Sequence, residues 1–189
     1  MKTREFWTGL RPCIFFLLMF ILISCAKNHD YAKNTGNAVL FETRWYSLVL
    51  PIDWRYTGTG AACTFTSPDR GVAIILSPVV LESKDTVDKI IQEVEVSVLH
   101  DQRGKTLKHW HGQYSVGTQI LPALFAIRQV KDKRIEVINT HISRGEWLLG
   151  ITIIKDTKHN KQSDVDILST LEIKHVKPAE TEKVRITDI

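Results

Sequence analysis

Apolar runs and polar breaks divide the 189 residues into a leader, a polar stretch and a series of strands and helices. The first apolar run, Cys13 to Ile23, stands apart from the rest, and residues 26–43 after it are polar and without period. Those residues predict a flexible tether; as a coil, about 17 residues reach roughly 20–25 Å. Arg44 to Leu50 alternates as a strand does, and Pro51 removes the next ladder donor. Thr57-Gly58-Thr59-Gly60 predicts a turn-rich link. Ala62 to Thr66 is a short strand closed by the turn residues Ser67-Pro68-Asp69-Arg70-Gly71, and Val72 to Leu81 is a third apolar run.

The period then changes. Val87, Ile90, Ile91, Val94 and Val98 recur at helical spacing, which predicts a long helix over about 85–100 with Asp85 as N-cap and Asp88 in the first turn. Four strands are expected next, over 113–120, 123–130, 134–143 and 147–154, with short polar breaks that favour an antiparallel meander. Ser163-Asp164-Val165-Asp166 opens a short second helix with Val165, Leu168 and Leu171 as its apolar stripe. The tail, 176–189, is charged, carries Pro178 and is expected to fray. Strands, helix, meander, helix predicts an α+β domain over 44–175: an antiparallel sheet with the long helix and the short C-terminal helix packed on it.

The leader carries an address. Lys2, Arg4 and Arg11 precede the apolar run and Ser24 closes it, the order of an export signal over residues 1–24. The run is about half the roughly 20 residues that cross a bilayer core, so an uncleaved transmembrane anchor is the weaker alternative. Leu22-Ile23-Ser24-Cys25 resembles the lipobox of bacterial lipoproteins. The resemblance implies a signal peptide over 1–24, a diacylglyceryl group on Cys25 and often a further amide-linked chain of the palmitate kind. More than one acyl chain makes a durable anchor. Ala26 stands where lipoproteins retained at the inner membrane often carry Asp. That implies a lipid-anchored protein of the cell envelope, at the outer membrane and facing the periplasm.

Cleavage changes the charge and cysteine counts. The chain has 25 Lys and Arg against 21 Asp and Glu, and residues 1–24 hold three of the basic ones and one acidic, Glu5. The 165 residues that remain carry 22 against 20, a net charge of +2, enough chain for one domain with a sizeable core. Basic and acidic residues are interspersed, so no nucleic-acid partner is expected. With Cys25 acylated, Cys63 alone cannot support a disulfide framework and reads as a small core hydrophobe.

The Leu-x-Leu-Pro-x-x-Trp strand end (Leu48, Leu50, Pro51, Trp54), Phe65 in the next strand, one helix, and Gly112-Gln113-Tyr114 ahead of a meander together resemble the PsbP-like domain family. That family includes photosystem-associated lumenal proteins, a nuclear-transport factor and periplasmic lipoproteins of the DcrB type. The resemblance covers roughly residues 40–175. It implies a non-enzymatic domain that binds or stabilises other proteins, and it brings no catalytic residues.

The remaining chemistry is sparse. His109 and His111 flank Trp110 and, in a strand, share a face where both could approach a metal, though a closed zinc site needs four ligands. His100 and His141 lie elsewhere. Thr57-Gly58-Thr59-Gly60 lacks the Lys-Ser/Thr of a phosphate loop, and no Gly-x-Ser-x-Gly elbow occurs. Trp45, Trp54, Trp110 and Trp147 read as packing residues, with Trp54 a partner-contact candidate if exposed. The expected function is therefore a membrane-anchored, non-enzymatic envelope lipoprotein with a protein partner and no cofactor. Small-molecule or metal binding through the His pair or a pocket between layers is the alternative, and an unrecognised hydrolase site a third.

Overall fold

A computed structural model describes residues 32–35, 38–59, 62–81, 86–158 and 162–176. Eleven strands form two antiparallel sheets among these residues. The smaller contains β1 (Ala32–Thr35), β2 (Ala38–Glu42), β3 (Tyr46–Pro51) and β11 (Glu172–Ile173), in that spatial order. The larger has the order β4 (Arg55–Thr59), β5 (Ala62–Thr66), β6 (Val72–Val80), β10 (Trp147–Asp156), β9 (Lys133–Arg144), β8 (Gln119–Val130), β7 (Lys105–Val116). It joins two meanders, β4–β6 and β7–β10, through the β6–β10 pairing.

Strand alternation divides the larger sheet into two faces. One carries Phe65, Ile74, Leu76, Leu149, Ile151, Ile153 and Ile138, all buried, and packs on Phe41, Tyr46, Leu48 and Leu50 of the smaller sheet. Aromatic contacts stitch the layers: Phe41 lies 4.9 Å from Phe65 and 5.0 Å from Tyr56 between ring centroids, and Trp45 lies 5.0 Å from Trp147. The short helix α2 (Gln162–Ser169) adds Ile167 and Leu168 to this core. Its end is tied down where Thr170 Oγ1 accepts from Val49 N at 2.9 Å and Leu168 O accepts from Gly117 N at 3.0 Å.

The other face is covered by α1 (Thr86–His100), which joins β6 to β7. The long helix expected after the first strands is not long: it has 15 residues, about 22 Å at the helical rise. Its last carbonyls are met by donors from the sheet beneath, as described below. None of its residues is buried; Val87, Ile90, Ile91 and Val98 are half-covered, and Val94 is exposed. Four of the five residues of the expected apolar stripe lie half-covered and none enters the core.

Four other expectations change. Residues 32–35 and 38–42, expected to belong to the tether, form β1 and β2, and Phe41 is fully buried. Val39, Leu40 and Phe41 form a short continuous apolar run after a polar stretch and leave no alternation to read; β3 supplies the pairing. The link Thr57-Gly58-Thr59 is strand β4, paired with Cys63 to Ala62 through Gly58 and Thr59. Only glycine fits at 58, because a Cβ there would lie 2.2 Å from Ala62 O. The strand expected over 113–120 is interrupted by the turn Gly117-Thr118, and residues 105–112 extend β7 backwards. The meander turns Gly117-Thr118, Lys131-Asp132 and Gly145-Glu146 each have positive φ at the first residue only, the II′ hairpin pattern. The fourth concerns Trp54, expected as a contact residue only if exposed: it is half-buried and packs against the core. The signal segment, Cys25, Asp85 and the tail beyond Val176 lie outside the described residues, as do the side chains of Ser163 and Val165.

Candidate interaction surface

The first polar feature of the α1-covered face is a buried cation. Arg128, on β8, is 3 % exposed and reaches the end of α1. Its Nη1 donates to Val98 O at 2.7 Å, and its Nη2 donates to Asp101 O at 2.5 Å and Gly104 O at 3.0 Å. The Asp101 carboxylate lies 3.5 Å away and is also held by Arg103. Burial raises the Asp101 pKa, but hydrogen bonds and charge from Arg103, with Arg128 adding charge, outweigh that and hold it below the usual carboxylate value. A cation at carbonyls that have no intrahelical partner opposes the negative end of the helix dipole. Thr106 Oγ1 completes the closure by donating to Leu99 O at 2.6 Å. A shallow hollow of about 390 Å³ lies beside this junction, lined by Leu99, His100, Asp101, Gln102, Gly104, Lys105 and Thr106.

The second feature is the helix–sheet seam at its middle. His111 Nε2 lies 3.3 Å from Glu95 Oε1, an exposed contact between β7 and α1. His141, on β9, is half-buried with Glu95 and Asp88 of α1 nearby. Desolvation depresses its pKa, and the two carboxylates only partly restore it. The neutral imidazole is therefore favoured in the fold. The unfolded chain binds the proton more readily, so stability falls as pH drops below the ordinary value near 6.5. His141→Gln is expected to flatten the loss of urea stability between pH 7.5 and pH 5; an unchanged slope would remove His141 from this role.

His109 and His111 do share a face, as strand geometry requires, and it is the α1 side of β7. Both are exposed, and among the described residues no three His, Cys, Asp or Glu side chains come together to hold a metal. His100 is exposed at the end of α1, away from that pair. Cys63 lies in the core beside Tyr46. Burial pushes its thiol pKa up while the Tyr46 hydrogen bond pulls it down, and burial wins. The Tyr46 phenol is driven up as well, by burial first and then by Cys63. Neither group is primed as a nucleophile, since the thiolate is the reactive form.

The third feature is the free side of β7. Among the described residues β7 pairs only with β8, so this 12-residue strand is an edge of the larger sheet. Trp110, 37 % exposed, stacks on Phe125 at 5.3 Å and 6°, and Lys108 Nζ lies 5.2 Å above the indole. Tyr114 meets the same Phe125 from the other side at 6.4 Å. Gly112 makes the aromatic row possible: a Cβ there would come within 3.1 Å of Phe125. Its second half, Trp110 to Ser115, has no charge other than the titratable His111, no proline and no bulge. The first half has Lys105, Lys108 and a register shift between Thr106 and Lys108 that leaves Leu107 exposed. Those are devices that discourage strand addition; the second half has none of them.

No family model matches the chain. No curated protein matches it either. Two solved structures are similar in fold outline, each with a TM-score of 0.48. One is a crystal structure from Bacteroides thetaiotaomicron at 15 % identity, covering 72 % of this chain; the chain spans 47 % of that protein's length. The other is the solution structure of cyanobacterial PsbP (CyanoP) from Synechocystis at 11 % identity, covering 81 % of this chain and 99 % of that one.

What sequence reasoning missed is the edge itself. His109-Trp110-His111 drew attention as possible ligands, whereas the structure uses the same residues as the exposed margin of a sheet. Arg128 was not singled out, because one arginine in an apolar strand carries no sign of which helix end will lie over it.

Proposed function

We propose that the protein is a lipid-anchored envelope lipoprotein, held by acylated Cys25, whose PsbP-like domain is non-enzymatic and docks on protein by strand addition at the β7 edge. The observation that carries this reading is the edge: a run of unguarded backbone beside an exposed Trp110. The lipobox Leu22-Ile23-Ser24-Cys25 supports the anchor, and the Leu48, Leu50, Pro51 and Trp54 pattern supports the PsbP-like assignment. An anchor beside a domain with an open edge suits a docking or assembly-supporting role at the periplasmic side of the outer membrane.

The test uses the full chain in its own membranes. A photo-crosslinking amino acid at His109 or Gln113 is expected to trap a protein adduct, and one at Thr57, on the opposite edge strand, to trap none. Cys25→Ala is expected to abolish acyl labelling and release the chain from the membrane fraction. An absence of adducts from either β7 position would overturn the docking reading, and unchanged acylation would overturn the anchor.

A further inference from the structure

We propose that the strand added at β7 is the β7 of a second copy, paired antiparallel about a two-fold axis through Gly112. This rests on the reading of β7 as a docking edge and names its occupant. Which backbone groups point outward follows from the hairpin. A two-residue turn is flanked by a hydrogen-bonded pair, here Val116 and Gln119, and bonded pairs alternate along the strands. Tyr114, Gly112 and Trp110 are therefore bonded to β8, while Ser115, Gln113, His111 and His109 turn their N–H and C=O groups outward. Pro122 confirms the phase: it has no N–H, and it stands opposite Gln113, a non-bonded position.

The open window has two ends. At Gly117, the next outward position, the N–H is already given to Leu168 O of α2 at 3.0 Å. At the other end the ladder shifts register around Leu107. The usable stretch is His109 to Ser115, and its midpoint is Gly112. An antiparallel pairing of two identical strands that fills this window must place its axis there. Leu107 of one copy then stands opposite Gly117 of the other, so the bulge turns the added strand aside where α2 closes the edge.

The side chains fit that register. Gly112 faces Gly112 of the second copy in a non-hydrogen-bonded pair, where the chains approach most closely. Trp110 lies opposite Tyr114 of the second copy, an aromatic cross-strand pair made twice. His111 meets Gln113 and His109 meets Ser115, with bonds exchanged in both pairs. No two like charges stand opposite each other, since Lys108 falls opposite Val116. The surface is self-complementary, as a two-fold interface requires.

Two differently tagged full-length copies are co-expressed, one His111→Cys and one Gln113→Cys, and their membranes are oxidised. Both positions are exposed, and the melting temperature of each variant is expected to match that of the parent chain. Opposed bonded residues lie about 5.5 Å apart between Cα atoms, within disulfide reach. The expected result is a disulfide joining the two tags at twice the chain mass, at least about tenfold above that from two copies of His111→Cys. Gln113→Pro added to the His111→Cys copy, which removes an outward N–H and no ladder bond, is expected to abolish it with the melting temperature unchanged. Photo-adducts at the edge that contain a different protein, with no tag-to-tag disulfide, would overturn the second copy while leaving β7 as a docking edge. Dominant His111→Cys self-linkage would overturn the register. No adduct of any kind would remove both readings.

Discussion

Arg128→Ala is expected to lower the unfolding free energy by about 3–5 kcal/mol, the range for breaking a buried charge pair from one side. The guanidinium is the partner of three backbone carbonyls and lies 3.5 Å from Asp101, all at the point where α1 meets β7. Without it the Val98, Asp101 and Gly104 carbonyls face a cavity. The α1 helix has no buried side chain to hold it in compensation. Arg103→Ala is the matched control. Arg103 binds the same Asp101 at 2.8 Å, but its side chain is 46 % exposed, so its removal should cost no more than about 1 kcal/mol. Urea denaturation of the solubilised full chain measures both. Hydrogen exchange adds a local readout, since amides near the end of α1 should lose protection in Arg128→Ala alone. Similar losses for the two variants would mean that Arg128 is not the clamp.

Phe41→Ala should cost about 3–5 kcal/mol, the usual range for a fully buried phenylalanine. Its ring is in edge contact with Tyr56 and Phe65 and stacks at 6.3 Å on Tyr46, so it joins β2, β3, β4 and β5. The smaller sheet depends on it for closure over the core. Val49→Ala, on the outer side of β3, should stay within about 0.5 kcal/mol. Limited proteolysis gives the structural readout, with new cleavage around residues 38–45 only in the Phe41 variant. A cost below about 1 kcal/mol would make the β1–β2 hairpin an accessory to the domain and restore the sequence-based reading of a tether reaching residue 43.

The central meander was legible because its pattern is redundant. Trp147, Leu149, Ile151 and Ile153 alternate along one strand, Ile135, Val137, Ile138 and Ile142 make the preceding one rich in β-branched residues, and Arg144-Gly145-Glu146 marks the turn between them. Helix α1 was legible from Val87, Ile90, Ile91, Val94 and Val98 at helical spacing, although Val94, Val96 and Val98 also alternate as a strand would. The β1–β2 hairpin and β4 were not: β1 and β4 are mostly polar or glycine, the run Val39-Leu40-Phe41 is too short to show alternation, and each takes strand form through a neighbour. Gly117-Thr118 was concealed for a related reason: Ser115, Val116, Gln119 and Ile120 continue a plausible strand across a turn that two residues complete.

The same division runs through the functional residues. By itself the sequence determined the α+β content and the expectation that His109 and His111 share a face wherever their segment is extended, and its Leu22-Ile23-Ser24-Cys25 pattern carries the resemblance to a lipobox. These are local properties, set by residue order and the two-residue period of a strand. Only the tertiary structure decided that Trp54 is half-buried against the core, that Arg128 closes a helix from a neighbouring strand, and that β7 is an edge strand among the described residues. Each of those depends on which strand is last in a sheet or which side chain lies under a helix. Strand order and burial arise from contacts between residues far apart in the chain, and no local pattern encodes them.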